Sequence, residues 1–110
     1  MIDYELLFNY NLINLAYRFE WDDKKNITNI KKHGISFKTA ATVFCDSQSL
    51  LAIDPKHSDD EDRFVMLGMD LSQKILLVCH CCRNNGNTIR IISARKATKG
   101  EETQYWAKYE

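Results

Sequence analysis

Basic residues gather in the last third of this 110-residue chain, around a short apolar run. Arg90 and Arg95 bracket the run Ile-Ile-Ser-Ala, Arg83, Lys96 and Lys99 flank it, and no acidic residue occurs between positions 83 and 100. Guanidinium groups bind phosphate oxygens through a fixed, bidentate fork. The pattern therefore predicts a site for a phosphate-rich partner, and the alternative is a set of surface arginines paired with Glu or Asp.

A second group of residues with chemical potential lies in the polar stretch that ends at Arg63. His57, Glu61 and Arg63 bring a proton acceptor, a carboxylate and a cation to a predicted junction between a loop and a strand. Loops that rigid elements hold in place often carry such groups. Residue types alone favour the alternative, which is a solvated acidic loop.

Three of the four cysteines, Cys79, Cys81 and Cys82, surround His80. Strand alternation would divide these ligands between two faces, and no second pair of ligands completes a zinc set. We therefore expect no metal and no cofactor, and cysteines that pack as small apolar groups. Because no secretory segment or membrane-spanning stretch is visible, we expect a cytoplasmic protein with free thiols.

Composition indicates one globular domain, with 45% hydrophobic and 27% charged residues. Fifteen basic residues balance fifteen acidic ones, so net charge gives no argument for a nucleic-acid partner, whereas the distribution of charge does. The first third is basic through Lys24, Lys25, Lys31, Lys32 and Lys38.

Local signals predict the elements that must position these residues. Asp22 and Gly34 mark the ends of one helix, Ser36 begins a second, and a capping box from Thr98 to Glu101 begins a C-terminal helix that contains Tyr105. Strands are predicted at residues 49–53, 63–69, 75–82 and 88–94. The fold class is α+β, a small antiparallel sheet with two N-terminal helices and a C-terminal helix.

The turn Asn84-Asn85-Gly86-Asn87 predicts how the last two strands pair. A symmetric loop pairs residue 83 with 88, 81 with 90 and 79 with 92. This register places Arg83 and Arg90 on one face of the sheet. The opposite, core face would carry Val78, His80, Ile89 and Ile91.

A series of motifs resembles the BrnT family of bacterial toxins over about residues 18–109. The matching residues are Phe19-Glu20-Trp21-Asp22, Asn26, Asn29, Lys32-His33-Gly34, Phe37, Ala40-Ala41, Val43-Phe44, Asp46, Asp54, His57, Glu61, Arg63, Gly68 and the run from Arg90 to Arg95. The resemblance implies a toxin domain at 18–110 after an N-terminal extension at 1–17. It also implies a RelE-like fold and metal-independent RNA cleavage that inhibits translation. The implied partner is a BrnA-like ribbon-helix-helix antitoxin. The toxin would contact operator DNA only through this antitoxin.

Roles follow from what metal-free RNA cleavage requires of a protein of this family. Glu61 or His57 would act as the base, and Tyr105 or His57 as the acid. The cationic clamps on the phosphate would be Arg63, Arg83 and Arg95, and the residues that position the RNA backbone would be Lys24, Arg90 and Lys96. The alternative is a non-catalytic module that binds a partner in a toxin–antitoxin repressor complex.

Overall fold

The computed structural model describes residues 18–54, 63–83 and 87–107. Three α-helices are described, α1 (Asp23–His33), α2 (Phe37–Ala41) and α3 (Lys99–Ala107), and the 3₁₀ helix Thr42–Cys45 continues α2. The described strands are β1 (Arg18–Glu20), β2 (Leu50–Ile53), β3 (Arg63–Met69), β4 (Ile75–Arg83) and β5 (Thr88–Lys96). The predicted helices and the four predicted strands are thus confirmed.

The strands form one sheet in the order β1-β5-β4-β3-β2. The pairs β2–β3, β3–β4 and β4–β5 are antiparallel, but β1 pairs with β5 in parallel, with Phe19 opposite Ile89. The prediction of a purely antiparallel sheet was therefore wrong. A strand of three residues is too short to show a period of two, so no local pattern indicated β1.

Side chains cap the N-termini of α1 and α2, and a glycine ends α1, as the sequence predicted. The Asp22 carboxylate accepts hydrogen bonds from the backbone N–H groups of Lys24 and Lys25, at 2.8 and 3.1 Å. Gly34 ends α1 with a φ of 73°, a left-handed conformation that favours glycine. Ser36 caps α2 by accepting a hydrogen bond from the backbone N–H of Thr39.

The helices α1 and α2 pack on one face of the sheet and bury the main core there. Predicted core residues Val78, His80, Ile89 and Ile91 are all buried. The His80 ring packs edge-on against Phe44, and burial lowers the pKa of His80, so this histidine is a neutral core residue. Within the described residues, no helix is long and apolar enough to cross a lipid bilayer.

Helix α3 covers only one end of the other sheet face. Tyr105 is buried there with Leu67 and Ile75, and its hydroxyl donates to the Asp46 carboxylate at 2.6 Å. The same carboxylate oxygen accepts the backbone N–H of Met69 at 2.9 Å. This arrangement fixes α3 to the end of the sheet, and no other described helix covers this face.

Candidate functional site

An irregularity in β5 decides which arginines share a face of the sheet. His80 pairs with Ile91, but Cys79 pairs with Ser93, so Ile92 is an extra residue in β5 and forms a β-bulge. Strict alternation would place Arg95 on the face opposite to Arg90, because the two are an odd number of residues apart. The bulge resets the alternation and brings both arginines to the face that the N-terminal helices do not cover.

The bulge also corrects one part of the predicted register. The pairs 83–88 and 81–90 are confirmed, and by this pairing Arg83 and Arg90 lie on the same face. The predicted pair 79–92 was wrong, because Cys79 lies opposite Ser93. Symmetry about the turn cannot reveal an inserted residue farther along the hairpin.

This face of the sheet contains a cleft of about 900 Å³. Its floor includes Leu50, Val65, Leu67 and Leu77, which lie side by side on β2, β3 and β4. The polar lining comes from Asp54, Arg63, Cys79, Ser93, Arg95, Glu101 and Gln104. The cleft therefore combines an apolar base with two guanidinium groups, which suits a ligand that carries both planar rings and phosphates.

Arg63 and Arg95 stand at opposite corners of the cleft. Arg63 pairs with Cys81 and Arg95 with Leu77, so they are two strands and four residues of β4 apart. That separation corresponds to about 16 Å between Cα atoms. Arg63 has no ion-pair partner among the described residues. Of the two arginines that line the cleft, Arg63 is thus the one that makes no ion pair with a described residue.

The guanidinium of Arg95 is held by a carboxylate. Arg95 donates to both oxygens of Glu101, at 2.8 and 3.0 Å. Glu101 also accepts the backbone N–H of Thr98 at 2.9 Å, and its own N–H donates to the Thr98 hydroxyl, which confirms the predicted capping box. The hydrogen bond from Arg95 is the main cause that lowers the pKa of Glu101, and the same bond raises the pKa of Arg95.

The structure does not bring the other predicted arginines to the cleft. Arg90 donates to the Glu20 carboxylate of β1 at 2.6 Å, which is the paired surface arginine of the alternative interpretation. Arg83 is exposed at the end of β4, opposite Thr88 and beyond the residues that line the cleft. Arg63 and Arg95 therefore line the cleft, whereas Arg83 and Arg90 do not. By the register, Arg63 and Arg90 nevertheless lie on either side of Cys81.

Asp54 is a site residue that the sequence analysis did not select. It follows β2, and its backbone N–H donates to the Arg63 carbonyl at 2.8 Å, so that the two residues lie side by side at one end of the cleft. Only 9% of Asp54 is exposed, and the Cys79 thiol donates to its carboxylate at 3.6 Å. Burial, followed by the negative charge of Asp54, raises the pKa of Cys79, so the thiol stays protonated and acts as a donor. The sequence feature that could have identified Asp54 is a carboxylate at the start of the predicted polar loop.

The remaining candidates have different locations. Tyr105 lies in the core with its hydroxyl bound to Asp46, and it does not line the cleft. Lys96 is exposed at the end of β5, and Lys24 lines a separate, smaller groove beside α1. His57 and Glu61 lie outside the described residues, in the segment that joins Asp54 to Arg63. Among the described residues, no three His, Cys, Asp or Glu side chains come together in a way that could hold a metal ion.

Residues 21–101 match the family described as "Ribonuclease toxin, BrnT, of type II toxin-antitoxin system". This match covers most of the 110 residues. The chain belongs to the BrnT family. The resemblance that the motifs carried is thereby confirmed, and all but Gln104 of the residues that line the cleft lie within the matched segment.

A solved structure of another BrnT protein agrees with the fold. The crystal structure of the Brucella abortus ribonuclease toxin BrnT, at 1.1 Å resolution, is 24% identical in sequence and has a TM-score of 0.56. The similarity covers 76% of this chain and 99% of the Brucella chain. At this identity the comparison supports the architecture of the BrnT fold and not the role of any residue. No curated protein matches the chain.

Proposed function

We propose that this BrnT protein is an endoribonuclease toxin that cleaves RNA, without a metal ion, in the cleft on the open face of the sheet. The observation that carries the proposal is that Arg63 and Arg95 line one cleft from opposite corners, because the bulge at Ile92 turns Arg95 to this face of the sheet. Two cations over an apolar floor can hold a nucleotide by its phosphate and its base. Family membership supports the choice of RNA as the substrate.

The proposed reaction is an attack of the RNA 2′-hydroxyl on the adjacent phosphate. A base takes the 2′-hydroxyl proton, the 2′-oxygen bonds to phosphorus, and the 5′-oxygen leaves with a proton from an acid. The products are a 2′,3′-cyclic phosphate and a 5′-hydroxyl end. A positioned base or acid contributes about 10²–10⁴-fold in rate.

Arg63 is the proposed clamp on the phosphate, because its guanidinium makes no ion pair with a described residue. Arg95 is the second clamp, and Glu101 occupies its guanidinium until a phosphate replaces the carboxylate. The base is Glu61 or His57, from the segment that enters β3 at Arg63. Asp54 is an additional candidate, since its carboxylate already lies in the cleft. Arg83, Arg90 and Lys96 would contact flanking phosphates.

RNA cleavage by the purified protein in excess chelator tests this function. We expect Arg63→Ala to abolish cleavage, whereas Arg18→Ala, which removes an exposed arginine at the far edge of the sheet, keeps it. A single 2′-deoxy nucleotide at the cleaved position should block the reaction. Cleavage by a folded Arg63→Ala protein, or cleavage only with magnesium, would contradict the proposal.

The proposed biological role is inhibition of translation in the cytoplasm, which a BrnA-like ribbon-helix-helix antitoxin relieves. In this view the toxin reaches operator DNA only through that antitoxin. The test is to express the toxin with and without the antitoxin, because both arrest of protein synthesis and its relief should require an intact Arg63.

The rival proposal is a non-catalytic module whose basic residues bind acidic side chains of a partner. The pairs Arg90–Glu20 and Arg95–Glu101 favour it, because they show that these arginines accept carboxylates. This rival predicts a stable complex with the partner and no RNA cleavage by the wild-type protein.

A further inference from the structure

A second groove, of about 300 Å³, lies between α1 and β5. Its basic lining comes from Lys24, Lys25, Lys32 and His33. Among the described residues that line this groove, none carries a carboxylate, and none of the three lysines makes an ion pair with another described residue. The groove is therefore more strongly positive than the cleft, which contains Asp54 and Glu101.

The groove and the cleft meet at the bulge in β5. Ile92 and Ser93 line both of them, and Ser93 is exposed. β1 pairs with β5 only as far as Arg90, so the edge of β5 beyond Arg90 faces α1 and no strand. A ligand that crosses this edge at Ser93 passes directly from the arginines of the cleft to the lysines of α1.

Asn29 attaches α1 to β5 beside the groove. Its side-chain amide bonds to both backbone groups of Ala94, donating to the carbonyl at 2.8 Å and accepting from the N–H at 3.1 Å. It also donates to the Ile35 carbonyl at 2.8 Å. Because Lys24, Thr28 and Lys32 recur every four residues along α1, they form one row beside this attachment.

We propose that this groove binds the RNA backbone next to the scissile linkage, so that one strand runs from the cleft over Ser93 onto α1. The inference rests on the proposed function, since it extends the same substrate beyond the cleft. The lysines bind phosphates as mobile point charges, which gives affinity without sequence preference. Lys24 and Lys32 are binding residues in this scheme and take no part in the chemistry.

The test compares two double variants with the same loss of charge. Lys24→Ala with Lys32→Ala alters the groove, whereas Lys38→Ala with Lys74→Ala removes two exposed lysines, from α2 and from the turn between β3 and β4. Binding of a single-stranded RNA of about 12 nucleotides, long enough to leave the cleft, is measured at several salt concentrations. Each phosphate contact contributes about 0.7 to the slope of log K against log salt for single strands. We expect the groove variant to lose about 1.4 of this slope and about tenfold in affinity at about 0.15 M salt, and the control variant to lose much less.

Cleavage of a dinucleotide, which is too short to reach α1, provides the second measurement. The groove variant should cleave the dinucleotide at the wild-type rate and should show a raised KM, with unchanged kcat, on the longer RNA. Equal losses of RNA affinity in both double variants would contradict the proposal that the groove binds RNA. A loss of dinucleotide cleavage in the groove variant as large as its loss on the longer RNA would contradict it as well. If the wild-type protein binds RNA with the expected slope but cleaves none, the proposed function fails and the groove stands. If the groove variant keeps Arg63-dependent cleavage and an unchanged slope of log K against log salt, only the proposal for the groove fails.

Discussion

Glu101→Gln removes the charge that holds Arg95 and keeps the rest of the local structure. The glutamine oxygen can still accept the Thr98 N–H, because Glu and Gln both complete a capping box. The substitution removes the bidentate ion pair with Arg95. In the wild-type protein the side chains of Arg95 and Glu101 are 38% and 24% exposed. A partly exposed ion pair of this kind stabilises a protein by about 0.5–1 kcal/mol. For a domain of this size the expected fall in Tm is about 2–8 °C.

The stabilisation by this pair should depend on pH in a defined direction. The Arg95 hydrogen bond lowers the pKa of Glu101 in the folded state, so the carboxylate contributes stability above its unfolded pKa. That contribution disappears as pH falls through the folded pKa. We therefore expect wild type and Glu101→Gln to differ in free energy of unfolding at pH 7 and to converge in strong acid.

Thermal and denaturant unfolding of a matched variant provide the control. Glu102→Gln removes an exposed charge from the same first turn of α3. It alters net charge and the helix dipole as Glu101→Gln does, but it breaks no ion pair with a described residue. Equal losses of stability in both variants, or a difference that persists in strong acid, would refute the reasoning.

The same variant measures how Glu101 competes with RNA for Arg95. If Arg95 clamps a phosphate, its release from Glu101 should tighten RNA binding by about two- to fivefold, which corresponds to the energy of the pair. Arg95→Ala should weaken binding. Unchanged affinity in both variants would show that Arg95 does not contact the RNA.

Three further substitutions test the elements that support the cleft. Asn29→Ala should lower the free energy of unfolding, measured with denaturant, by at least about 2 kcal/mol, because it leaves the buried backbone groups of Ala94 without partners. A loss near zero would contradict this. Tyr105→Phe removes the hydrogen bond to Asp46 and should lower the free energy of unfolding by about 1 kcal/mol, but it should leave RNA cleavage intact. Loss of cleavage would make Tyr105 a candidate acid again. Gly68→Ala should lower stability by about 1–3 kcal/mol, since a Cβ there would lie 2.7 Å from Val43 Cγ1, and an unchanged Tm would show that Val43 yields without strain.

Features encoded over a few neighbouring residues could be predicted from the sequence. The caps at Asp22, Ser36 and Thr98 are local hydrogen bonds of one side chain, and the structure contains all of them. The strand β3 also agrees with its predicted bounds. These signals gave the positions of the elements and part of the hairpin register.

Features that depend on distant segments could not be predicted in the same way. β1 acquires its strand conformation from β5, about 70 residues away, and the bulge at Ile92 arises where β5 must satisfy both β4 and α1. The pairing of Asp54 with Cys79 likewise requires the sheet to be assembled. A shared site for Arg63, Arg83 and Arg95 was therefore expected from chemistry and family resemblance. Arg83 does not line the cleft, and the bulge that turns Arg95 toward it was not visible in the sequence.

The extra residue in β5 affects the local shape of the strand more than the direction in which Arg95 points. Deleting Ile92 would leave Arg90 and Arg95 an even number of residues apart, so regular alternation would keep both arginines on the cleft face. The deletion would remove the bulge with its local bend, and it would remove the Ile92 side chain that lines both the cleft and the groove. A natural variant that lacks one residue between Arg90 and Arg95 should therefore still carry both arginines on one face of the sheet.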